Sequence, residues 1–378
     1  MFHFDNIIDR SQSSCEKWDK YKGLDVIPAW VADMDFRSPP CVIDALQKRV
    51  NEGVFGYTSV DAQTFDAIIN FVHKRYGWKI EKEWILFTHG VVSSMNIACK
   101  SVGGESVLMT TPIYPHFTKA PKNMGQKVIA APMIEKDGRW CIDFDALERL
   151  SKYSSKLFML CNPYNPGGTV FTQKELTQLC AFCLEHNLII CSDEIHADLI
   201  LNPNAKHIPI ASLDERIAQQ SITLMAPSKS FNIAGLQSSF VIIPNPILRG
   251  QFQKTMGNTI GGINLLGITA MRVAYEQGEP WLEALLVYLR ENLHMVEQFV
   301  TKNPQLRLLS QDATFLAWID ATSLHVKSPY EFFLQHGVGL SDGAHFGDKN
   351  FVRLNFGTNK KTLKTILKRM QKAMDSLQ

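Results

Sequence analysis

Two short segments carry the residue types from which a reaction centre is built. Ser192-Asp193-Glu194-Ile195-His196 follows the apolar run Leu188-Ile189-Ile190-Cys191, and Pro227-Ser228-Lys229-Ser230-Phe231 follows Ile222-Thr223-Leu224-Met225. Apolar runs of this length, rich in branched residues, read as buried strands. In an α/β protein the ends of neighbouring strands are where ligands collect. A carboxylate at 193 and an amine at 229 are what pyridoxal phosphate requires. The lysine forms an imine with the aldehyde, and the acid keeps the pyridine nitrogen protonated so that the ring can take up electrons.

Each residue also has a plainer reading. Lys229 could be an exposed loop lysine, and as a catalytic amine it needs a desolvated pocket or a nearby cation to be neutral near pH 7. Asp193 could cap a helix or, functionally, pair with the pyridinium through a charge-assisted hydrogen bond. Asn165 sits in the turn Asn162-Pro163-Tyr164-Asn165-Pro166-Gly167-Gly168, where its amide could donate to the phenolic oxygen of the cofactor or simply serve the turn. Tyr114, between Pro112 and Pro115, could pack in a core or stack on the pyridine face. Arg353 interrupts an apolar strand, so it is either half of a buried ion pair or a fork for a substrate carboxylate. Gly90, Val91 and Val92 open a helix after a strand, where free backbone N–H groups and the helix dipole favour a phosphate.

Positioning these residues takes an alternation of short strands and amphipathic helices, the α/β pattern. Strands are expected at Trp84–Thr88, Ser106–Met109, Lys127–Ala130, Leu157–Cys161, Leu188–Cys191, Ile222–Met225 and Phe240–Ile243. Thr172 is expected to cap a helix reaching Asn187, with Glu175 completing a capping box. From Pro280 the character changes: Leu282, Leu285, Leu286, Leu289, Leu293 and Val296 recur at helical spacing. Strands at Phe315–Ile319 and Val352–Phe356 follow, and a basic amphipathic helix closes the chain. Residues 51–279 are therefore expected to form a large domain, and 1–50 with 280–378 a smaller one.

Composition narrows the function classes. The 378 residues are 45% hydrophobic and 20% charged, with a formal charge of +2, which supplies no basic field for nucleic acid or membrane. No apolar stretch is long enough to span a bilayer, and the N-terminus carries no pattern of a secretory signal, so a cytoplasmic enzyme is expected. The eight cysteines are scattered. Cys180 and Cys183 form a C-x-x-C with His186 on the same helical face, but no second ligand pair accompanies them, so buried thiols rather than a metal site are expected. No G-x-G-x-x-G follows a strand, which argues against a nicotinamide dinucleotide.

Taken together, these residues resemble the fold-type I pyridoxal-phosphate enzymes of the class I and II aminotransferase superfamily, and within it the MalY/PatB type of cystathionine β-lyase. The likeness extends over nearly the whole chain: Met1–Asp5, Asp9-Arg10, Cys15–Asp19, Trp30-Val31-Ala32-Asp33-Met34-Asp35-Phe36, Val54-Phe55-Gly56-Tyr57, the asparagine turn, Ser192–His196, Ser228–Gly235 and Phe351–Asn355. The lysine segment and Ala-Asp-Met-Asp-Phe are the most specific parts. His196, three residues after the aspartate where ordinary aminotransferases carry tyrosine, points the same way.

The resemblance implies a large domain with a mixed, mostly parallel sheet flanked by helices, plus a smaller α+β domain. It implies that Lys229 carries the cofactor, Asp193 pairs with its ring nitrogen, Asn165 binds its phenolic oxygen, Tyr114 stacks on it and Arg353 holds the substrate carboxylate. His196 and Ser228 join the cofactor site, and Tyr57 reaches across a homodimer interface to the partner's phosphate. There are departures. Gln237 stands where many aminotransferases carry a phosphate-binding arginine, Ala226 replaces a serine, Tyr164 replaces a frequent histidine, and Thr169 replaces a basic residue. The implied reaction is α,β-elimination from cystathionine or another cysteine S-conjugate. The alternatives are an aminotransferase using the same residues and a catalytically silent relative acting through protein contacts.

Overall fold

Four apolar segments become neighbouring parallel strands because each is too short and too apolar to be satisfied at a surface. A fifth, partly exposed, joins them in parallel at one side. In this computed structural model, which describes residues 2–257 and 259–377, they lie in an eight-stranded sheet. Its order is Ile85–Thr88, Ser239–Ile242, Ser221–Met225, Ile189–Asp193, Ser155–Cys161, Ser106–Thr111, Lys127–Lys136 and Arg139–Ile142. The strands from Ser221–Met225 to Lys127–Lys136 pair in parallel. Ser239–Ile242 runs antiparallel to Ser221–Met225, and Ile85–Thr88 runs antiparallel to it in turn. Two reversals bring Ile85–Thr88 back to the direction of the parallel set. The carboxyl ends of Thr88, Thr111, Cys161, Asp193 and Met225 therefore share one edge of the sheet.

The expected strands are all present; Ile85–Thr88 starts one residue late, several others are shifted by one residue, and Ser106–Thr111, Ser155–Cys161 and Ser221–Met225 are longer by one or two. The largest extension is Lys127–Lys136, which continues into a hairpin with Arg139–Ile142. The helix after Thr172 spans Gln173–Glu185, and its capping box is formed as expected. Cys180 and Cys183 are buried on that helix, and burial pushes the Cys180 thiol up to about 12. His186 faces Glu148 instead, at 3.3 Å.

A second sheet, Arg307–Leu308, Leu316–Asp320, Phe351–Asn355 and Ser341–Asp342, is antiparallel and four-stranded. It packs with the long helix Glu279–Lys302, whose Leu282, Leu285, Leu286, Leu289, Leu293 and Val296 are buried. The C-terminal helix Lys360–Asp375 buries Leu363, Ile366 and Met370 and turns lysines outward. No helix among the described residues is long and apolar enough to cross a membrane.

The turn from Thr88 into the helix Val91–Val102 is held by buried hydroxyls. Thr88 Oγ1 lies 2.7 Å from both Ser94 Oγ and Ser239 Oγ, and Gly90 N donates to Ser239 Oγ at 2.8 Å. Gly90 has φ +92°, a conformation that disfavours any side chain, so glycine is needed there. Replacing Ser239 by alanine leaves the Gly90 N–H without its acceptor. We expect Ser239→Ala to lose about 1–3 kcal/mol of stability in urea unfolding.

Candidate active site

The shared edge of the large sheet is where the candidate residues gather. Asp193 ends its strand, Lys229 follows Met225 by one turn, Asn165 follows Cys161, and Tyr114 follows Thr111. Arg353 comes from the other sheet, paired across strands with Trp318 and Ser341. A cleft of about 580 Å³ opens between them, lined by Tyr114, Lys229 and Arg353 together with Trp30, Ala32 and Phe346. Asn165, Asp193 and His196 are buried.

Arg353 has no carboxylate partner among the described residues. Its Nη1 donates to Asn165 Oδ1 at 3.1 Å, and its Nη2 donates to Trp30 O at 3.0 Å and to Ser341 Oγ at 3.3 Å. The guanidinium carbon stands 4.6 Å from the Phe346 ring centre, a cation–π contact. Burial pulls its pKa down to about 10, and Nε is buried without a partner. A cation held by neutral groups alone is suited to receive an anion. Of the two readings of this arginine, the buried ion pair is absent.

Asn165 is fixed from three sides. Its N donates to Cys161 Sγ at 3.4 Å, its O accepts from Tyr114 N at 3.2 Å, and its Oδ1 is taken by Arg353. Because Oδ1 accepts, Nδ2 is the atom left to donate to a ligand. Tyr114 precedes the helix Pro115–Asn123 and has its ring 5.1 Å from that of His116.

Lys229 Nζ donates to the backbone O of Ala32 at 2.6 Å. Burial lowers its pKa to about 8, opposed by Asp33, helped by Arg353 and again opposed by Asp193. Burial raises Asp193 to about 7, while the Ile195 N–H on its Oδ1 (3.1 Å) and Lys229 act in the other direction. His196 is held neutral: burial, with Lys229 and Arg353 nearby, lowers it to about 3, and its Nδ1 is buried without a partner.

The residues fit pyridoxal phosphate. Orphaned nitrogen atoms at His196 and Arg353, a free Asn165 amide and an acid kept from solvent offer the donors and the carboxylate it needs. At the helix start, Val91 and Val92 N–H have no acceptor among the described residues. Gly90 N–H does not share this freedom; contrary to expectation it is spent on Ser239, because the turn requires it. Ser228 is half-buried beside Lys229, whereas Gln237 is exposed with φ 47°. Tyr57 does not join the cleft of its own chain; it is fully exposed and lines a separate concavity with Phe55 and residues 262–266.

Several participants escaped the sequence reading. Ala32 contributes only a carbonyl, and Ser341 and Phe346 lie in short segments with no pattern. The doubled aspartate of Ala-Asp-Met-Asp-Phe was visible, but its partners, Arg10 and Lys17, are identified only by the fold. Asp35 accepts from Lys17 Nζ at 2.8 Å, Arg10 Nη1 at 3.1 Å and Trp18 Nε1 at 3.2 Å, and Asp33 accepts from Arg10 Nη2 at 2.9 Å.

The two opposed shifts give a pH signature for the ligand-free protein. Asp193 is raised above its unfolded value, so the native state binds more protons and loses stability as pH rises from about 4 to about 7. Lys229 is lowered, so its contribution is present above about 10.5 and is lost as pH falls through about 8. Asp193→Asn removes the first effect. Urea midpoints measured from pH 4 to 7 are expected to fall for the unsubstituted protein relative to the variant.

Comparison with known proteins agrees with this geometry. Residues 31–370 match the family described as aminotransferase class I and II. Cystathionine beta-lyase PatB of Bacillus subtilis is 39% identical, over 98% of this chain and 100% of that one. The crystal structure of OvoB superposes with a TM-score of 0.97 at 46% identity, covering 99% of this chain and 100% of that one. Cystalysin from Treponema denticola, whose structure contains pyridoxal 5'-phosphate, superposes with a TM-score of 0.96 at 34% identity over 100% of both chains. Matched by the family over most of its length and sharing this fold, the chain belongs to the class I and II aminotransferase family.

Proposed function

We propose that this protein is a pyridoxal-phosphate-dependent carbon–sulfur β-lyase. It would cleave cystathionine or a related cysteine S-conjugate to a thiol, pyruvate and ammonia. The observation that carries this reading is the cleft in which a desolvated amine, Lys229, faces an uncompensated guanidinium, Arg353. The relatives named cystathionine β-lyase and C–S lyase supply the reaction class.

When bound, pyridoxal phosphate is carried on a lysine amine and supplies an electron sink that makes the substrate Cα–H acidic. The roles of the chain's own groups follow from their surroundings. Arg353 grips the substrate carboxylate and so aims Cα–H toward Lys229. With pyridoxal phosphate bound, Asp193 would hold a proton on its ring nitrogen, Asn165 Nδ2 would donate to its phenolic oxygen, and Tyr114 would pack against the ring. Val91, Val92 and Ser228 would hold its phosphate, with His196 as a neutral neighbour. Lys229 Nζ, near neutral pH partly an uncharged amine, takes the Cα proton. The Cβ–S bond then breaks with its electron pair on sulfur, and hydrolysis of the remaining three-carbon fragment gives pyruvate and ammonia.

We assign residues 51–279 to the cofactor-binding domain and 1–50 with 280–378 to the small domain. The eight-stranded sheet falls within the first range and the four-stranded sheet within the second. We further propose a homodimer in which Tyr57 reaches the partner's cofactor phosphate. Val54, Phe55 and Tyr57 are 70%, 60% and 111% exposed, an apolar patch that a second copy would cover. A cytoplasmic location is supported by eight free cysteines.

Incubated with cystathionine and other S-conjugates, the protein is expected to release thiol and pyruvate in equal amounts, read by mass spectrometry. Keto-acid exchange without thiol release would overturn the lyase reading in favour of transamination. Lys229→Ala is expected to abolish the borohydride-reducible yellow colour and to lower turnover by about a thousandfold or more. If sites are composite, refolding Lys229→Ala together with Tyr57→Ala restores up to about a quarter of the activity, because mixed dimers hold one complete site. No recovery despite dimer exchange would place Tyr57 outside the partner's site.

A further inference from the structure

The segment Trp30–Phe36 lines the cleft with Trp30, Val31 and Ala32, and its backbone oxygens are almost all taken. Trp30 O accepts from Arg353 and from Ser341 Oγ (2.8 Å). Asn355 Nδ2 donates to Val31 O at 2.5 Å and to Asp33 O at 2.7 Å. Asn232 Nδ2 donates to Met34 O at 3.0 Å and to Phe36 O at 2.8 Å, while its Oδ1 accepts from Met34 N at 3.0 Å. Asp35 N donates to Gly357 O at 2.9 Å. Within this pinned stretch, Ala32 O accepts from Lys229. The aspartates on either side of Met34 are clamped in turn by Arg10 and Lys17, the latter buried.

Here we propose that Trp30–Phe36 is a rail that docks the free amine of Lys229 on the Ala32 carbonyl at a set distance from Arg353. Asp33, Asp35, Arg10 and Lys17 are then positioning residues for the proton transfer. This rests on the reading of Lys229 as the base. The amine must leave its covalent attachment, stay within reach of Cα and keep its lone pair available. An acceptor that engages one N–H restricts the amine's rotation and leaves the lone pair free to point elsewhere. Arg353 has other anchors, Asn165 and Ser341, so loosening the rail disturbs the lysine more than the carboxylate grip.

The clamp also sets the charge seen by the amine. The charged groups acting on Lys229 are Asp33 from the rail, Arg353 from the small sheet and Asp193 from the large sheet, with the neutral His196 beside it. Tyr114, Glu16, Lys20, His116, Lys119, Asp342 and His345 line the same cleft. Asp33 Oδ1 is buried without a hydrogen bond, 3.7 Å from Lys17 Nζ, and acts on Lys229 through its field. Asp33→Asn removes a stabilising anion, so the amine loses its proton at lower pH. Arg10→Met unmasks the same anion and shifts the amine the opposite way. A general loss of packing has no such sign.

The test uses the cofactor-loaded protein with and without substrate. Without substrate, visible absorption titrates the proton on this same nitrogen in its attached form, where the Asp33 field acts with the same sign. The pH midpoint is therefore expected to fall by about half a unit in Asp33→Asn and to rise in Arg10→Met. With whichever substrate the unsubstituted protein turns over, both variants are expected to lose about ten- to a hundredfold in kcat while KM stays within about twofold. Midpoints that move in the same direction or not at all, or kcat within twofold of the unsubstituted protein, would overturn the rail. Failure of the lyase reading is recognised separately, by the absence of thiol and pyruvate from the unsubstituted protein, and leaves the substrate-free titration intact.

Discussion

The hydrogen bond from Arg353 to Asn165 ties the small sheet to the carboxyl edge of the large one and anchors on both a buried cation that has no carboxylate partner among the described residues. Arg353 arrives on an antiparallel strand of the small sheet, and Asn165 on a turn at the carboxyl edge of the large one. Burying a guanidinium without a carboxylate is costly, and the depressed pKa of Arg353 records that cost. Trp30 O, Ser341 Oγ and the Phe346 ring offset part of it with partial charges alone. What remains is a buried positive charge that neutral groups do not neutralise. The same bond consumes Asn165 Oδ1 and so orients the amide with its donor free.

Desolvation acts on the other two ionisable groups in opposite senses. It drives Lys229 toward the neutral amine and Asp193 toward the neutral acid, so that both stand within reach of pH 7 in the ligand-free protein. Each is poised for a different partner. An aldehyde reacts with an uncharged amine, and a pyridinium draws the acid back to its anion. The ion pairs of the Arg10–Lys17–Asp33–Asp35 cluster satisfy Asp35 internally, whereas Asp33 keeps one oxygen without a hydrogen bond and still acts on Lys229.

The homology and the physical reading meet at different resolutions. Membership of the family comes from the match over residues 31–370. The division of labour inside the site comes from donors, acceptors and burial, and it separates positions that carry the same expectation from sequence. Gly90, Val91 and Val92 look equivalent as a helix start, yet the first gives its N–H to Ser239. Arg353 and Lys229 lie on unrelated elements, yet both hold carbonyls of one segment, two residues apart.

Much of this architecture is readable from local pattern. Short apolar runs ending in Thr88, Cys161 and Met225, the capping box at Thr172 and the leucine spacing after Pro280 specify strands and helices because hydrophobic periodicity and capping act over a few residues. Asp193, Asn165, Tyr114 and Lys229 could be singled out because each follows or ends such a run. The pairings could not be read in the same way. That Asn232 and Asn355 clamp residues 31–36, that Ala32 offers a carbonyl to Lys229, and that Asp33 and Asp35 are answered by Arg10 and Lys17 depend on contacts between segments far apart in the chain. Backbone oxygens carry no side-chain signature, and burial is a property of the packed molecule, so acceptors and shifted pKa values came into being only when the sheets closed on one another.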